Sequence, residues 1–379
     1  MSFTMNLFLK LLLTVTMAVI LTPIIRRLAF AINAVDLPNE RRINKIPMPS
    51  AGGLAIYISF SLSLLFLFSD IIDRTASLRL IAVSGIVVLT GLLDDIFELT
   101  PRQKMFGTLV AAFSAYFFAG IKFETINIGS LIELNLGWFS LPITIFWIVG
   151  FTNAINLIDG LDGLASGVSA IALTTIGIIG YIAVSSGGVL IQVPIMIFVL
   201  VASIIGFLPY NFFPAKIYLG DTGALFLGFM IAILSLQGLK NATFISLITP
   251  LIILGVPITD TFYAIIRRTL NKQSISNADH MHLHHRLISL GFTHRGAVLM
   301  IYALSFIFSF AAILYSFTNI VANIFMVLSL LLAIELFVEQ IGLVGENRQP
   351  LLNVLKFIGN KAYRKKVLEE YKKKMKTLN

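Results

Sequence analysis

Long apolar runs recur along this chain and are separated by short polar segments. Each run approaches the roughly 20 residues that an α-helix needs to cross a bilayer. Eleven such runs begin near Leu7, Ala51, Leu78, Met105, Phe139, Leu164, Val189, Gly223, Thr243, Gly296 and Ile320. The pattern therefore predicts an all-α polytopic membrane protein with about eleven transmembrane helices.

Composition narrows the classes of protein that fit this pattern. Of the 379 residues, 57% are hydrophobic and only 12% are charged, which leaves too little polar surface for a soluble globule of this size. Cysteine is absent, so disulfides, thiolate metal sites and cysteine nucleophiles are excluded. The first run, Leu7 to Ile25, lacks a small-residue cleavage site and is predicted to be a permanent span rather than a signal peptide.

The basic residues predict the orientation of the chain. Net charge is +9, and Lys and Arg in membrane proteins concentrate in the cytoplasmic segments. Placing the amino terminus outside puts most of the 28 Lys and Arg residues on the inner side. We therefore expect a multi-pass protein of the cytoplasmic (inner) membrane with a cytoplasmic carboxyl terminus and no nucleic-acid partner. A homodimer is left open.

Two segments outside the predicted spans have patterns of their own. Ile126 to Leu136 alternates apolar and polar residues around Gly129, which predicts a small extracytoplasmic β-hairpin. We divide the chain into a transmembrane catalytic domain, 1–342, and a basic cytoplasmic tail, 343–379. The tail spaces apolar residues at near-helical intervals among lysines, so a helix on anionic lipid and a solvated basic tail both remain open.

The ninth run contains residues that interrupt helices. Pro250, Gly255 and Pro257 precede Asp260, and proline in a helix interior removes a hydrogen bond and bends the helix. We expect a bent helix here, which would open a groove toward the inner leaflet.

Four polar clusters fall in loops on the predicted cytoplasmic side, where we expect catalysis. They are Asp94-Asp95, Asn153 to Asp162, Asn211 to Asp221, and Asp279 to Arg286. Carboxylates that border hydrocarbon are costly and are kept mainly where they bind ions or substrate. Adjacent Asp94 and Asp95 would point about 100° apart on a helix. Two roles, metal coordination and phosphate contact, therefore fit better than one, with an acidic helix end in water as the alternative.

The second cluster places Asn153, Asn156, Asp159 and Asp162 at successive intervals of three. On one continuous helix the first and last of these would face opposite ways. The glycines that follow each aspartate predict that the helix ends here and that both aspartates turn inward from a loop. Helix capping by either aspartate is the alternative.

The third cluster ends in the turn Gly220-Asp221-Thr222-Gly223. Backbone N–H groups beside Asp221 would suit a metal ion that bridges to a phosphate. Tyr218 and Phe213 would stack on a nucleobase or pack against lipid headgroups, and the sequence does not decide between these roles.

The fourth cluster holds four of the five histidines. Cations and imidazoles together suit a diphosphate. A metal site and a purely structural loop are the alternatives.

Four motifs in this order resemble those of the polyprenyl-phosphate N-acetylhexosamine-1-phosphate transferases, and the resemblance covers the chain apart from the tail. The motifs are Leu93-Asp94-Asp95, Asn153 through Ala165, Pro209 through Gly223, and His282-Leu283-His284-His285-Arg286. The loop Pro47 through Gly53 is similar to a fifth, in which a basic residue usually stands where Ser50 is. That departure leaves the loop's phosphate contact to Lys45 or Arg42.

The resemblance implies a transferase that moves a HexNAc 1-phosphate from a UDP-sugar to undecaprenyl phosphate and releases UMP. It implies Mg²⁺ as the cofactor, with Mn²⁺ as an alternative, and Asp221 and Asp95 as metal ligands. The implied catalytic residues are Asp94, Asp95, Asp159 and Asp162. The implied substrate-binding residues are Lys45, Asn153, Asn156, Asn211, Tyr218, His282, His284, His285 and Arg286.

The His-x-His-His pattern resembles the branch of this family that uses UDP-GlcNAc to start cell-envelope polysaccharides. The alternative within the family is the peptidoglycan branch, which uses UDP-MurNAc-pentapeptide. A cation-coupled membrane transporter is the alternative from a different class, although the polar groups lie at one face and no internal repeat is visible.

Overall fold

The computed structural model describes residues 3–37, 46–128, 132–185, 189–237, 244–270, 272, 281–345 and 348–376. The chain divides into two compact units, which are described separately. The first unit comprises Met1–Ile258 and Thr293–Phe317, and the second comprises Thr259–Phe292 and Thr318–Asn379. The predicted boundary between the catalytic domain and the basic tail, at residues 342 and 343, does not coincide with this division. The assignment of catalysis to 1–342 stays a prediction.

Helices form most of both units. The first unit contains α1 (Phe3–Ala31), α2 (Gly53–Leu62), α3 (Arg74–Phe97), α4 (Pro101–Phe117), α5 (Ser140–Ile158), α6 (Leu164–Val184), α7 (Gln192–Asn211), α8 (Gly220–Gln237), α9 (Phe244–Ile253) and α12 (His294–Phe317). Helix α10 (Gly255–Leu270) crosses the division between the units. The second unit adds α11 (Leu283–Ser289), α13 (Ile320–Ile341), α14 (Pro350–Gly359) and α15 (Lys361–Lys376).

Eight helices within the described ranges are long and apolar enough to cross a membrane, or nine if the bent pair α9–α10 counts as one span. The all-α polytopic membrane fold is therefore confirmed, but the predicted count of eleven is not. Two predicted spans are helical but short. Helix α4 has 17 residues, and α2 continues only through a π-helical segment, Ser63–Leu67.

The predicted bend in the ninth run is present. Segments Leu247–Ile253 and Gly255–Leu270 meet at an angle of 81°. Pro250 lies inside α9, and a Cβ on Gly255 would lie 2.6 Å from the ring of Phe308. A side chain at position 255 would therefore collide with α12, so glycine permits the close approach of the two helices there.

Helix α8 is the core of the first unit and packs against α3 and α5. Every residue from Thr222 to Leu236 is buried, as expected for a helix that is apolar on all sides. Glycines bring neighbouring helices against its amino-terminal end. A Cβ on Gly53 would lie 2.2 Å from the Cα of Gly223, and a Cβ on Gly91 would lie 2.5 Å from the carbonyl oxygen of Asp221.

Two short antiparallel strand pairs complete the first unit. Strands β1 (Val35–Asp36) and β2 (Met48–Pro49) pair before α2. Strands β3 (Thr125–Ile128) and β4 (Ile132–Asn135) pair in the segment where alternation predicts a hairpin. The side of the membrane on which β3 and β4 lie stays a prediction.

Candidate functional site

The last turn of α3 carries Asp94 and Asp95, and their side chains do point to different partners. Both oxygens of Asp95 bind the first turn of α8. Oδ1 accepts a hydrogen bond from the backbone N–H of Asp221 at 3.0 Å, and Oδ2 accepts one from that of Thr222 at 3.0 Å. The hydroxyls of Thr222 and Ser50 also donate to Asp95, at 2.5 and 3.1 Å. Asp95 therefore caps the amino terminus of α8, whose first N–H groups have no partner within the helix.

Asp94 faces a lysine and a second carboxylate. Its Oδ2 lies 2.6 Å from the Nζ of Lys104, and the same Nζ lies 3.3 Å from Oδ1 of Asp221. Asn156 donates from Nδ2 to that Asp221 oxygen at 2.5 Å. The lysine ammonium thus lies between two carboxylates whose mutual repulsion it reduces.

The start of α4 positions this lysine. Thr100 and Gln103 form a capping box at the amino terminus of α4, and Lys104 follows in its first turn. In the sequence Lys104 resembled a solvated residue beside an acidic helix end, so the sequence did not assign it to the site. The capping box can be read from the sequence. It marks the start of α4, and it would have indicated that Lys104 lies in the first turn after α3, close to Asp94.

Asp159 and Asp162 lie in the loop between α5 and α6, as predicted. Helix α5 ends at Ile158, and Gly163, with φ at +77°, is the N-cap residue just before α6. Asp159 is half-buried. Burial of its carboxyl group, followed by the nearby charges of Asp221, Asp95 and Asp162, raises the pKa of Asp159 well above its usual range. The aspartates therefore belong to one cluster of negative charge.

Asp162 joins this loop to the segment that precedes α8. Its Oδ2 accepts a hydrogen bond from the backbone N–H of Ala215 at 2.9 Å, and its own N–H donates to Nε2 of His294 at 3.1 Å. The ring of His294 stacks on that of Phe213 with centroids 4.5 Å apart. His294 is the fifth histidine, outside the predicted cluster, and its isolation in the sequence gave no signal of this contact.

The remaining predicted residues of the first unit are placed as follows. Asn211 is buried, with its amide bonded to the hydroxyl of Ser166 at 2.7 Å and to the carbonyl of Ile217 at 3.2 Å. Tyr218 is partly exposed and pairs through its backbone with Pro49 at 2.9 Å. Asn153 donates to the carbonyl of Val149 within its own helix at 2.8 Å. The contacts of Asn211 and Tyr218 order the segment between α7 and α8. The predicted contacts with a uracil ring stay predictions.

In the second unit the histidine motif is tied to α10. Nδ1 of His282 lies 2.8 Å from Oδ2 of Asp260, and Oδ1 of Asp260 accepts the backbone N–H of Leu283 at 2.8 Å. His282 and His284 are buried, whereas His285 and Arg286 are partly exposed. Asp260 thus fixes the start of α11 and the ring of His282. Lys45 and Arg42 lie outside the described residues, as do Asp279 and His280.

The groups near Asp221 that could hold a metal ion carry oxygen donors, and oxygen donors suit Mg²⁺ better than a softer metal. Among the described residues, no group of three or more His, Asp or Glu side chains is arranged to hold a metal ion. Mg²⁺ is commonly bound by only one or two carboxylates together with waters and substrate phosphates. Asp221 and Asp94 already share one cation, the ammonium of Lys104. A metal ion at Asp95 would compete with the four donors that the carboxylate already binds.

The fold and this cluster define the class of protein: a multi-pass membrane protein with carboxylates gathered at helix ends. Comparison with known proteins gives the family. Residues 77–239 match the model of glycosyl transferase family 4. A probable undecaprenyl-phosphate N-acetylglucosaminyl 1-phosphate transferase of Bacillus subtilis is 45% identical over 89% of this chain and 92% of its own length.

More distant relatives are consistent with this match. A decaprenyl-phosphate N-acetylglucosaminephosphotransferase of Mycolicibacterium smegmatis is 33% identical over 76% of this chain and 77% of its own length. A phospho-N-acetylmuramoyl-pentapeptide-transferase of Halalkalibacterium halodurans is 31% identical over 82% of this chain and 96% of its own length. The chain belongs to glycosyl transferase family 4, and specifically to the polyprenyl-phosphate N-acetylhexosamine-1-phosphate transferases.

Proposed function

We propose that this protein transfers GlcNAc 1-phosphate from UDP-GlcNAc to undecaprenyl phosphate and releases UMP, as the first step in assembling a cell-envelope polysaccharide. The observation that carries the proposal is the position of Asp221. Its side chain lies between Lys104 and Asn156, and Asp95 caps the helix turn on which it stands. A carboxylate fixed in this way suits a metal-bound diphosphate.

The choice of sugar rests on the relatives and on the histidine motif. The Bacillus subtilis relative named for N-acetylglucosaminyl phosphate transfer is 45% identical to this chain, against 31% for the relative named for the muramoyl pentapeptide. The sequence His282-Leu283-His284-His285 agrees with the first of these branches. UDP-GlcNAc is therefore the donor to test first, and UDP-MurNAc-pentapeptide is the competitor.

The chemistry needs little from a base. The acceptor is a phosphate monoester, which is mostly dianionic at neutral pH because its second pKa is about 6. The harder task is to bring two anions together. A divalent cation held by Asp221 and Asp94, Mg²⁺ or alternatively Mn²⁺, would supply positive charge at the diphosphate and at the departing UMP.

The chain's own residues would orient the reactants around that charge. Lys104 would counter the negative charge of Asp94 and Asp221 before substrate binds, and would be free to contact a phosphate oxygen afterwards. Asn156 would hold the orientation of Asp221 through its amide. For the histidine motif, which Asp260 holds within the second unit, the resemblance implies contact with the sugar diphosphate. Removal of a proton from the lipid phosphate by an aspartate of the Asp94-Asp95 pair remains the alternative to direct attack.

The acceptor must deliver its phosphate without leaving the bilayer. Helices α9 and α10 meet at an angle of 81°. This bend supports a lateral opening through which the lipid phosphate would reach the site. We place the reaction on the cytoplasmic face, because the basic segments and the carboxylate cluster lie on the same predicted side.

The test is UMP release by the purified protein with undecaprenyl phosphate and a panel of UDP-sugars, with and without Mg²⁺. Wild type should turn over UDP-GlcNAc only when both lipid and metal are present. Asp221→Asn should lower kcat by about 100-fold or more, because the carboxylate that positions the cation is lost. Asp70→Asn is the matched control, since Asp70 is a carboxylate that pairs with Lys10 away from the cluster.

Three results would contradict the proposal. Turnover with UDP-MurNAc-pentapeptide but not UDP-GlcNAc would move the chain to the other branch of the family. An active Asp221→Asn variant would remove Asp221 from the metal site. Folded protein with no turnover on any UDP-HexNAc would favour the transporter alternative.

A further inference from the structure

Helix α12 begins against the loop that carries Asp159 and Asp162. Nε2 of His294, the first residue of this helix, accepts a hydrogen bond from the backbone N–H of Asp162 at 3.1 Å. A backbone N–H can only donate, so Nε2 carries no proton in this arrangement and the neutral imidazole has its hydrogen on Nδ1. The contact therefore exists only while His294 is uncharged.

A second contact from α12 holds the same loop. The hydroxyl of Tyr302 donates to the carbonyl of Gly163, the residue that follows Asp162. A Cβ on Gly167 would lie 1.9 Å from that hydroxyl, so the tyrosine occupies space that a larger residue at position 167 would fill. Helix α12 thus holds two successive residues of the loop, and it also packs against α6, which follows the loop.

The imidazole of His294 is itself held in place. It is half-buried and stacks on the ring of Phe213 with an angle of 26° between the two planes. The neighbouring Arg295 donates from Nε to the carbonyl of Phe213 at 3.2 Å, and its Cζ lies 5.5 Å from the centre of the phenyl ring. Because these contacts restrain the imidazole, it cannot easily follow the loop if the hydrogen bond to Asp162 breaks.

Two charged groups surround the imidazole. The Asp162 carboxylate on the loop between α5 and α6 interacts with it electrostatically, and Arg295 is its neighbour on α12. The segment before α8 presents the uncharged ring of Phe213, while Lys216 of that segment lies over the ring of Tyr210. Imidazole is the side chain that changes charge between roughly pH 5 and pH 8. A proton on Nε2 would face the N–H of Asp162, and the loop would lose its acceptor.

We propose that His294 is a positioning residue for the transfer reaction. Its neutral imidazole keeps the loop with Asp159 and Asp162 in the arrangement that the reaction needs, and protonation of the ring releases the loop and slows transfer. His294 acts through the loop, because the group that its Nε2 binds is protein backbone. The effect on rate rests on the proposed function, whereas the effect on the loop does not.

Two substitutions separate the hydrogen bond from the ring. His294→Gln supplies an amide oxygen that accepts a hydrogen bond and does not titrate, and His294→Leu supplies no acceptor. At about pH 8, UMP release by the glutamine variant should stay within about threefold of wild type, and that of the leucine variant should fall roughly 10-fold, because a backbone N–H is left unpaired. Equal activity of the glutamine and leucine variants would overturn the proposal.

The pH profile is the readout that a purely structural histidine would not change. The ratio of wild-type activity to that of His294→Gln should fall several-fold between about pH 8 and about pH 5.5, because only the imidazole gains a proton. The acceptor phosphate also titrates, with a second pKa of about 6, but it affects both proteins alike and cancels in the ratio. A ratio that is constant with pH would overturn the proposal.

Tyr302→Phe is the matched control. It removes the hydrogen bond to Gly163 from the same loop and keeps both the aromatic ring and His294. UMP release should therefore fall in this variant, while the ratio of its activity to that of wild type should not change with pH. A ratio that follows the same pH dependence as that of His294→Gln would overturn the role given to the imidazole.

Hydrogen–deuterium exchange tests the loop without turnover. In detergent, with no substrate or metal, the peptide of residues 159–165 should be as protected in wild type as in His294→Gln at about pH 8, and less protected in wild type at about pH 6. Position 294 lies outside this peptide, so the intrinsic exchange rates of the two proteins are equal. Equal protection at both pH values would overturn the proposal even if UDP-GlcNAc is turned over. A difference in protection with no turnover of any UDP-sugar would support the release of the loop and contradict the proposed function alone.

Discussion

Asp159 carries a carboxyl group whose surroundings oppose its negative charge. Burial and the charges of Asp221, Asp95 and Asp162 raise its pKa well above the usual range. The folded state therefore keeps a proton that the unfolded state releases, and stability falls as pH rises from the ordinary carboxyl pKa toward the raised value. The ionised carboxylate of Asp159 therefore lowers the stability of the folded state at neutral pH, as is common for groups selected for function.

Asp159→Asn should reverse this cost. Without metal or nucleotide, and with EDTA present, the melting temperature of the variant should match wild type at low pH and exceed it increasingly as pH rises. Thermal unfolding in detergent across a pH series would measure the difference, and UMP release should fall in the same variant. Asp70→Asn should give the opposite sign, because the hydrogen bond from Lys10 lowers the pKa of Asp70 and stabilises its ionised form. A melting difference for Asp159→Asn that is independent of pH would contradict the argument.

At the scale of helices, the site depends on how closely α3 approaches α8. Gly91 lies in α3, and a Cβ there would come 2.5 Å from the carbonyl oxygen of Asp221 and from the Cα of Thr222. These are backbone atoms, which cannot rotate away as a side chain would. The position of the Asp221 carboxylate therefore depends on glycine, which has no side chain, at position 91 of α3.

Gly91→Ala should push the helices apart and cost about 1–3 kcal/mol of stability, as overpacking of a filled core does. Activity should fall by more than the loss of folded protein explains, because the hydrogen bonds between Asp95 and the first turn of α8 would be broken. Gly150→Ala is the control, since a Cβ at that helical position meets nothing within 4 Å. The measurement compares the activity and the melting temperature of the two purified variants with those of wild type. Equal behaviour of both would contradict this account of the packing.

The sequence predicted the helices better than their lengths or their partners. Apolar runs located eight spans and the bend near Pro250, because hydropathy and helix-breaking residues are local properties. They did not show that the run from Ala51 ends in a π-helical turn or that α4 begins at Pro101, because hydropathy does not register capping. The sequence indicated the carboxylates because charged groups near hydrocarbon are costly. The contacts of Lys104 with Asp221 and of His294 with Asp162 join residues more than 100 positions apart, so no local pattern predicted them.

For the molecule as a whole, the distribution of Lys and Arg predicts which side of the membrane each loop faces. The orientation also decides whether the carboxylate cluster meets cytoplasmic nucleotide sugars, so it bears directly on the proposed reaction. Trp138, which is 97% exposed, lies next to β4 and is predicted to be outside. Leu290, 49% exposed at the end of α11, is predicted to be inside.

Single cysteines at these two positions test the orientation. A membrane-impermeant maleimide added to intact spheroplasts should label Trp138→Cys but not Leu290→Cys, and disrupting the membrane should expose both. The unsubstituted chain has no cysteine and gives the background. Labelling of Leu290→Cys in intact spheroplasts would invert the topology and place the carboxylate cluster outside.

The cap that Asp95 supplies to α8 also bears on how the protein is made. Most helices carry their own capping residue, so their first turn can form as soon as the segment is synthesised. Here the acceptor for the N–H groups of Asp221 and Thr222 comes from a helix that precedes them by more than 120 residues. A nascent chain with α3 and α8 inserted but not yet packed therefore has no ordered Asp221 turn. The active centre would arise only at the last stage of helix assembly, so partly assembled molecules in the membrane would be inert toward the nucleotide sugar.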